Sequence, residues 1–204
     1  MYKLLRILLY IPLQILLPTR VIGKKNIDKD GKMIIACNHL TYFDVILLCL
    51  HINRKICFMA KKELKKSWFL KWIFKKMNVI TVDRDNLELS TVKEVLGVLK
   101  SGKVLGIFPE GTRNKTKELL LPFKEGVTLF AEKTGAPVVP IVIKRKPRFF
   151  VPNKITIGEK MFFEKGNENN TQILRDKMIE MKLEELNKNG RINTRNDWCN
   201  ICTV

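Results

Sequence analysis

The stretch MIIACNHLTYFDVILLCL, residues 33–50, is apolar at both ends and polar in the middle. Met33 to Cys37 suits a strand buried on both faces, and Val45 to Leu50 suits a helix. Between them stand Asn38, His39 and Asp44, whose burial is costly unless they find partners. Three readings are open: a helix cap, a core histidine with satisfied hydrogen bonds, and a catalytic base with an orienting carboxylate. Thr41-x-x-Asp44 has capping-box spacing, with Thr41 as N-cap and Asp44 at the third helical position. That leaves Asn38 and His39 unaccounted for. On a continuous helix His39 and Asp44 would lie about 140° apart on different faces. They meet only across a bend, with the strand ending near Cys37 and the helix starting after Thr41. There a carboxylate could hold one imidazole nitrogen and leave the other to take a proton from an alcohol. By itself the H-x4-D spacing has low specificity and favours a satisfied structural histidine.

Outward from this stretch, apolar runs of strand length alternate with helical patterns. The runs are MIIAC (33–37), ICFMA (56–60), VITV (79–82), VLGIF (104–108) and VVPIVI (138–143), and helices are expected near 43–50, 62–76, 86–100 and 124–133. The alternation predicts a single α/β domain with a largely parallel or mixed buried sheet flanked by helices. ITIGEKMFFE (155–164) adds a hairpin-like pair, and TQILRDKMIEMKLEELNKNG (171–190) an amphipathic helix ending at Gly190. The domain is expected to span 19–190, followed by a polar tail, 191–204. A chain of 204 residues can bury roughly 70% of its unfolded surface without disulfides or a metal.

The basic excess, 38 − 20 = +18, calls for an anionic partner: nucleic acid, anionic lipid, or an acidic protein or cofactor. Residues 1–18, MYKLLRILLYIPLQILLP, carry an apolar run from Ile7 to Pro18, short of the roughly 20 residues a bilayer span needs. No small-x-small cleavage site follows. An interfacial membrane helix is the expectation, with a signal peptide or a plain buried helix as alternatives. KKELKKSWFLKWIFKK (61–76) has seven lysines, one glutamate and an apolar stripe of Leu64, Trp68 and Trp72. It reads as a basic amphipathic helix for a membrane surface, or as a core-packed helix with solvated lysines. The five cysteines (37, 49, 57, 199 and 202) are odd in number and partly within apolar segments, which suits a reducing compartment. Cys199-x-x-Cys202 has no second pair to complete a zinc site, and ICTV does not fit a prenylation signal.

The second chemical signal is GIFPEGTRNKTKELLLPFKEG, residues 106–126. After the strand VLGIF, Gly111 can adopt backbone angles closed to other residues, and Arg113 offers a bidentate fork for phosphate. Lys115, Lys117 and Lys124 follow. The segment reads as an anion-binding loop, the alternative being an ordinary turn with a solvated arginine.

Together, NHLTYFD, FPEGTR and VVPIVI resemble the glycerophospholipid acyltransferases, specifically the 1-acylglycerol-3-phosphate (lysophosphatidate) acyltransferases. The resemblance runs from about Arg20 to about Ile143. Its second block, MNVITVDR (77–84), ends in the expected Arg84 but has Asn78 where glycine is usual; asparagine tolerates left-handed angles better than most residues. The resemblance implies that His39, oriented by Asp44, deprotonates the 2-hydroxyl of a lysophosphatidate, which attacks an acyl thioester to give phosphatidate. It further implies that Arg84 and Arg113 hold the acceptor phosphate, that Glu110, Gly111 and Thr112 shape its pocket, and that Lys124 is a further phosphate contact. Backbone amides or Lys61 would face the oxyanion. The donor is acyl-CoA or an acyl carrier protein, both anionic, and no metal or resident cofactor is expected. The expected location is the cytoplasmic face of the cell membrane, as a peripheral or monotopic protein.

Some alternatives survive at this level. Cys37 and His39 share a strand face if the strand continues, which would allow an acyl-enzyme route. His51, without a carboxylate at useful spacing, reads as a helix-end residue interacting with the dipole. Another lysophospholipid or glycerol 3-phosphate could be the acceptor. From another class, a non-catalytic basic module could bind lipid or nucleic acid, although no nucleic-acid motif is present and no such partner is expected.

Overall fold

A computed structural model describes residues 10–61, 79–82 and 89–187. The expected helix at 62–76, the end of the terminal helix at 188–190 and the polar tail lie outside the described residues.

Seven strands form one sheet in the order β1-β7-β6-β2-β5-β3-β4. They are β1 (Thr19–Ile22), β2 (Met33–Cys37), β3 (Ile56–Lys61), β4 (Ile80–Val82), β5 (Val104–Ile107), β6 (Val138–Ile143) and β7 (Asn153–Ile157). Every neighbouring pair is parallel except β6–β7, so the sheet is mixed, as expected. The helices are α1 (residues 10–16), α2 (Phe43–His51), α3 (Leu89–Lys100), α4 (Gly126–Thr134) and α5 (Asn170–Asn187). Among the described residues no helix is long and apolar enough to cross a membrane.

β2 lies between β5 and β6 with all five of its residues buried. Alternate side chains serve opposite layers. Ile34 and Ala36 join Val138, Val142, Leu105 and the apolar faces of α3, α4 and α5. Met33, Ile35 and Cys37 join Val139, Ile141, Ile143 and Leu47 and Leu48 of α2. A strand covered on both sides has no room for a polar position, which is why these segments read as continuous apolar runs.

Two expectations change. ITIGEKMFFE is not a hairpin: its first half is the end of β7, and beyond Gly158 the backbone pairs with the sheet only at Met161, through a bridge to Val138. β7 pairs instead with β6 and with β1, a strand the sequence reading did not separate from its surroundings. The assigned start of α2 is Phe43, yet Tyr42 already has helical angles. The Phe43 N–H donates to Thr41 Oγ1 at 3.2 Å and the Thr41 N–H to Asp44 Oδ2 at 2.7 Å. Only the second is a capping-box bond: the Thr41 hydroxyl takes the Phe43 N–H rather than that of Asp44, which donates to the Thr41 carbonyl at 3.3 Å.

His51 does end α2, but its charge does not serve the dipole. Burial, reinforced by the nearby Lys24 ammonium, pushes the ring from 6.5 down to about 4, so it is neutral at physiological pH. The unfolded ring protonates near 6.5 and the folded one near 4. The stability this ring contributes is therefore full above pH 6.5 and is lost as the pH falls toward 4, with a slope of at most about 1.4 kcal/mol per pH unit. His51→Leu should remove that component, so urea midpoints measured at pH 7 and pH ~4.5 should lie closer together in the variant than in the unaltered chain.

Candidate active site

The polar centre of the opening stretch sits where β2 ends, beside the C-terminal ends of β5 and β6, the edge at which open α/β sheets present ligand sites. The bend needed to bring His39 and Asp44 together is present: Nδ1 of His39 lies 3.0 Å from Asp44 Oδ2. Asp44, fully buried, also accepts the N–H groups of Leu40 and Thr41 at 2.6 and 2.7 Å and the Thr41 hydroxyl at 3.1 Å. A carboxylate saturated with donors fixes the ring proton on Nδ1 and leaves the Nε2 lone pair outward. Nε2 makes no hydrogen bond to a described residue and is not among the buried unpartnered atoms.

The ring is held from beneath by Phe108, stacked at 4.0 Å between centroids, and Phe108 in turn by Phe58 at 6.0 Å. This stack requires Gly106: a Cβ there would come within 2.7 Å of the Phe58 ring. The backbone of His39 is gripped on both sides by the loop after β5. Its N–H donates to Glu110 Oε1 at 2.8 Å, and its carbonyl accepts the Asn114 N–H at 2.7 Å. The other oxygen of Glu110 accepts the Leu121 N–H at 2.9 Å. Burial pushes Glu110 above the usual carboxylate range, while the His39 and Leu121 N–H groups and the Lys182 charge pull against it. With both oxygens engaged inward, Glu110 shapes the loop rather than reaching a ligand.

The remaining expected residues fall as follows. Gly111 adopts φ 67 and lies against the Lys124 side chain, so that an added Cβ would stand 2.9 Å from Lys124 Cε. Thr112 is exposed and Arg113 half-buried, with the guanidinium 3.9 Å over the Tyr42 ring. His39, Asp44, Glu110, Gly111, Thr112, Arg113 and Lys124 are thus drawn together. Arg84 lies outside the described residues, and Lys61 is described only as the last residue of β3.

Three contributors were not assigned from the sequence. Asn38, fully buried, pairs its amide with the N–H of Ile143 at 2.7 Å and the carbonyl of Ile143 at 3.1 Å, tying the end of β2 to that of β6. Lys182 of α5 is buried and donates to the same Ile143 carbonyl at 3.1 Å. Burial pulls its ammonium below the ordinary value, and the Glu110 and Asp44 carboxylates oppose that shift. Tyr42 carries Arg113. The polar signal at Asn38 was visible in the sequence, but its partner lies 105 residues away. Cys37 does not face the site as a nucleophile. It is 1% exposed, and burial, with the Asp44 charge, raises its thiol well above the ordinary value.

The family model "Acyltransferase" matches residues 18–144, which include His39, Asp44 and the whole loop after β5. A 1-acyl-sn-glycerol-3-phosphate acyltransferase of Bacillus subtilis is 36% identical over 141 residues, 69% of this chain and 69% of that protein. One from Borreliella burgdorferi is 30% identical over 181 residues, 81% of this chain and 72% of that protein. Among solved structures, the 1-acyl-sn-glycerophosphate acyltransferase of Thermotoga maritima superposes with a TM-score of 0.67 at 27% identity, covering 86% of this chain and 73% of that one. With its buried carboxylate, outward-facing imidazole and basic loop joined at one sheet edge, the chain belongs to the acyltransferase family and is an enzyme.

Proposed function

We propose that the chain transfers an acyl group from an acyl thioester to the 2-hydroxyl of 1-acylglycerol 3-phosphate, forming phosphatidate for phospholipid biosynthesis. The observation that carries this reading is the Asp44–His39 pair, with Nε2 directed outward beside a loop bearing Arg113 and Lys124. Nε2 takes the hydroxyl proton as the oxygen attacks the thioester carbonyl. The tetrahedral intermediate collapses with loss of the thiol, which takes the proton back from Nε2. Phosphatidate and free thiol are the products. Asp44 keeps the ring in the required tautomer throughout.

Arg113 suits the acceptor phosphate because a planar fork binds two oxygens at once, and its seat on Tyr42 limits the entropy lost on binding. Arg84 is assigned to the same phosphate, and backbone amides or Lys61 to the oxyanion. The donor is acyl-CoA or an acyl carrier protein, either of which matches the +18 chain. No resident cofactor or metal takes part, and nucleic acid is not a partner. The enzyme works as a peripheral or monotopic protein on the cytoplasmic face of the membrane, where residues 1–18 and the lysine-rich segment 61–76 meet lipid.

Purified chain given lysophosphatidate and an acyl thioester should release thiol. His39→Ala should lower the rate by about 10³-fold or more, while Cys37→Ala keeps nearly full activity. Thiol release by the His39 variant at the original rate would defeat the mechanism, and competition with other lysophospholipids and glycerol 3-phosphate reads out the acceptor. Arg113→Lys should raise KM for the acceptor by roughly tenfold with a smaller change in kcat, since the bidentate contact is lost. Gly111→Ala, forced into a left-handed conformation and against Lys124, should lose about 1–2 kcal/mol of stability. It should also raise acceptor KM several-fold, measured by urea unfolding and initial rates.

A further inference from the structure

The connection from β6 to β7 narrows to a four-residue turn, Arg148 to Val151, closed by the Val151 N–H on the Arg148 carbonyl at 3.3 Å. Its two central residues are Phe149 and Phe150, positions normally taken by glycine, asparagine, aspartate or proline. Phe150 has φ 59, the one positive φ outside glycine among the described residues, and a bulky side chain is disfavoured there. The two rings are nevertheless 54% and 69% exposed. Turn chemistry and solubility both argue against this pair of residues, so a contact outside the chain is the consistent reason for them.

The surroundings identify the contact. Arg145, Lys146 and Arg148 are exposed next to the rings, and no acidic residue occurs from 133 to 158. The Phe150 N–H donates to the Leu16 carbonyl at 2.8 Å, which fastens the turn to the end of α1, where Ile11 and Ile15, one helical turn apart, are 68% and 64% exposed. On the other side Phe149 meets Phe43 edge-on at 5.9 Å, and Phe43 adjoins Tyr42, Asp44 and therefore the mouth of the site. An apolar tip ringed by cations and flanked by an apolar helix face fits an anionic lipid surface.

We propose that the turn Arg148 to Val151 is a further membrane contact, in addition to residues 1–18 and 61–76: Phe149 and Phe150 enter the monolayer while Arg145, Lys146 and Arg148 meet lipid phosphates. The contact would set the mouth of the site at the level where a lysophosphatidate headgroup lies. This placement rests on the acyltransferase reading for its purpose, but the lipid contact itself does not require turnover.

The test uses the full chain and sedimentation with vesicles of phosphatidylcholine alone or mixed equally with phosphatidylglycerol. The double variant Phe149→Ser, Phe150→Gly should lose about ten- to hundredfold in partition to both vesicle types. It should unfold no earlier than the unaltered chain, because glycine relieves the positive φ. The triple variant Arg145→Gln, Lys146→Gln, Arg148→Gln should lose about tenfold or more on the anionic vesicles only. Both variants should still turn over a short-chain, vesicle-free lysophosphatidate as the unaltered chain does. Unchanged partition of the double variant overturns the proposal. So does a parallel fall in short-chain turnover, which would make the turn part of the site's own framework, or a lipid-free dimer that the double variant abolishes. Failure of the unaltered chain to use the short-chain substrate would instead count against the proposed reaction and leave the vesicle result to stand alone.

Discussion

The site depends on how the backbone of a single residue is held. His39 stands just past the end of β2, where no ladder remains to fix it, and the loop after β5 supplies the missing partners: the Glu110 carboxylate for its N–H and the Asn114 N–H for its carbonyl. A buried peptide group without partners would cost a few kcal/mol, so the two loops stabilise each other. The side chain can then be directed outward, because the backbone gives it a fixed origin, Asp44 its rotation and Phe108 its floor. Two motifs about seventy residues apart in sequence are, physically, one interlocked unit.

Much of the architecture was legible because β2, β5 and β6 are covered on both faces, and such strands announce themselves as unbroken apolar runs. β1 was not, since only its first residue is buried and its last is exposed. The misread hairpin at 155–164 has a definite cause. Ile155 and Ile157 alternate with polar neighbours as a hairpin strand would, but Gly158 is wedged against Pro140 and Met181, and the chain leaves the sheet there except at Met161. Alternation reports one buried face; it does not report which strand lies alongside.

At the site, the spacing of His39 and Asp44 was enough to require a bend, and the bend is found. What spacing could not convey is the set of contacts made by residues distant in sequence. Asn38 serves neither a cap nor catalysis; its amide reproduces a peptide's own pairing pattern for Ile143, extending the β2–β6 ladder by one side chain. Glu110 was expected to shape the acceptor pocket, and both its oxygens brace backbone N–H groups behind it. Arg113 read as a fork for phosphate or as a solvated arginine, and an aromatic ring supports it.

Lys182 gives the chain a property that neither motif has alone. Among the described residues it is the one lysine or arginine that is buried, and it comes from α5, well past the segment 18–144 that carries the family's motifs. A fragment cut after that segment would possess the histidine, its aspartate and the glutamate brace, and would lack the ammonium that bonds the Ile143 carbonyl and offsets the burial of Glu110. The helix that closes the fold thus also closes the catalytic edge, through a bond to the end of β6 and a positive charge behind the Glu110 carboxyl.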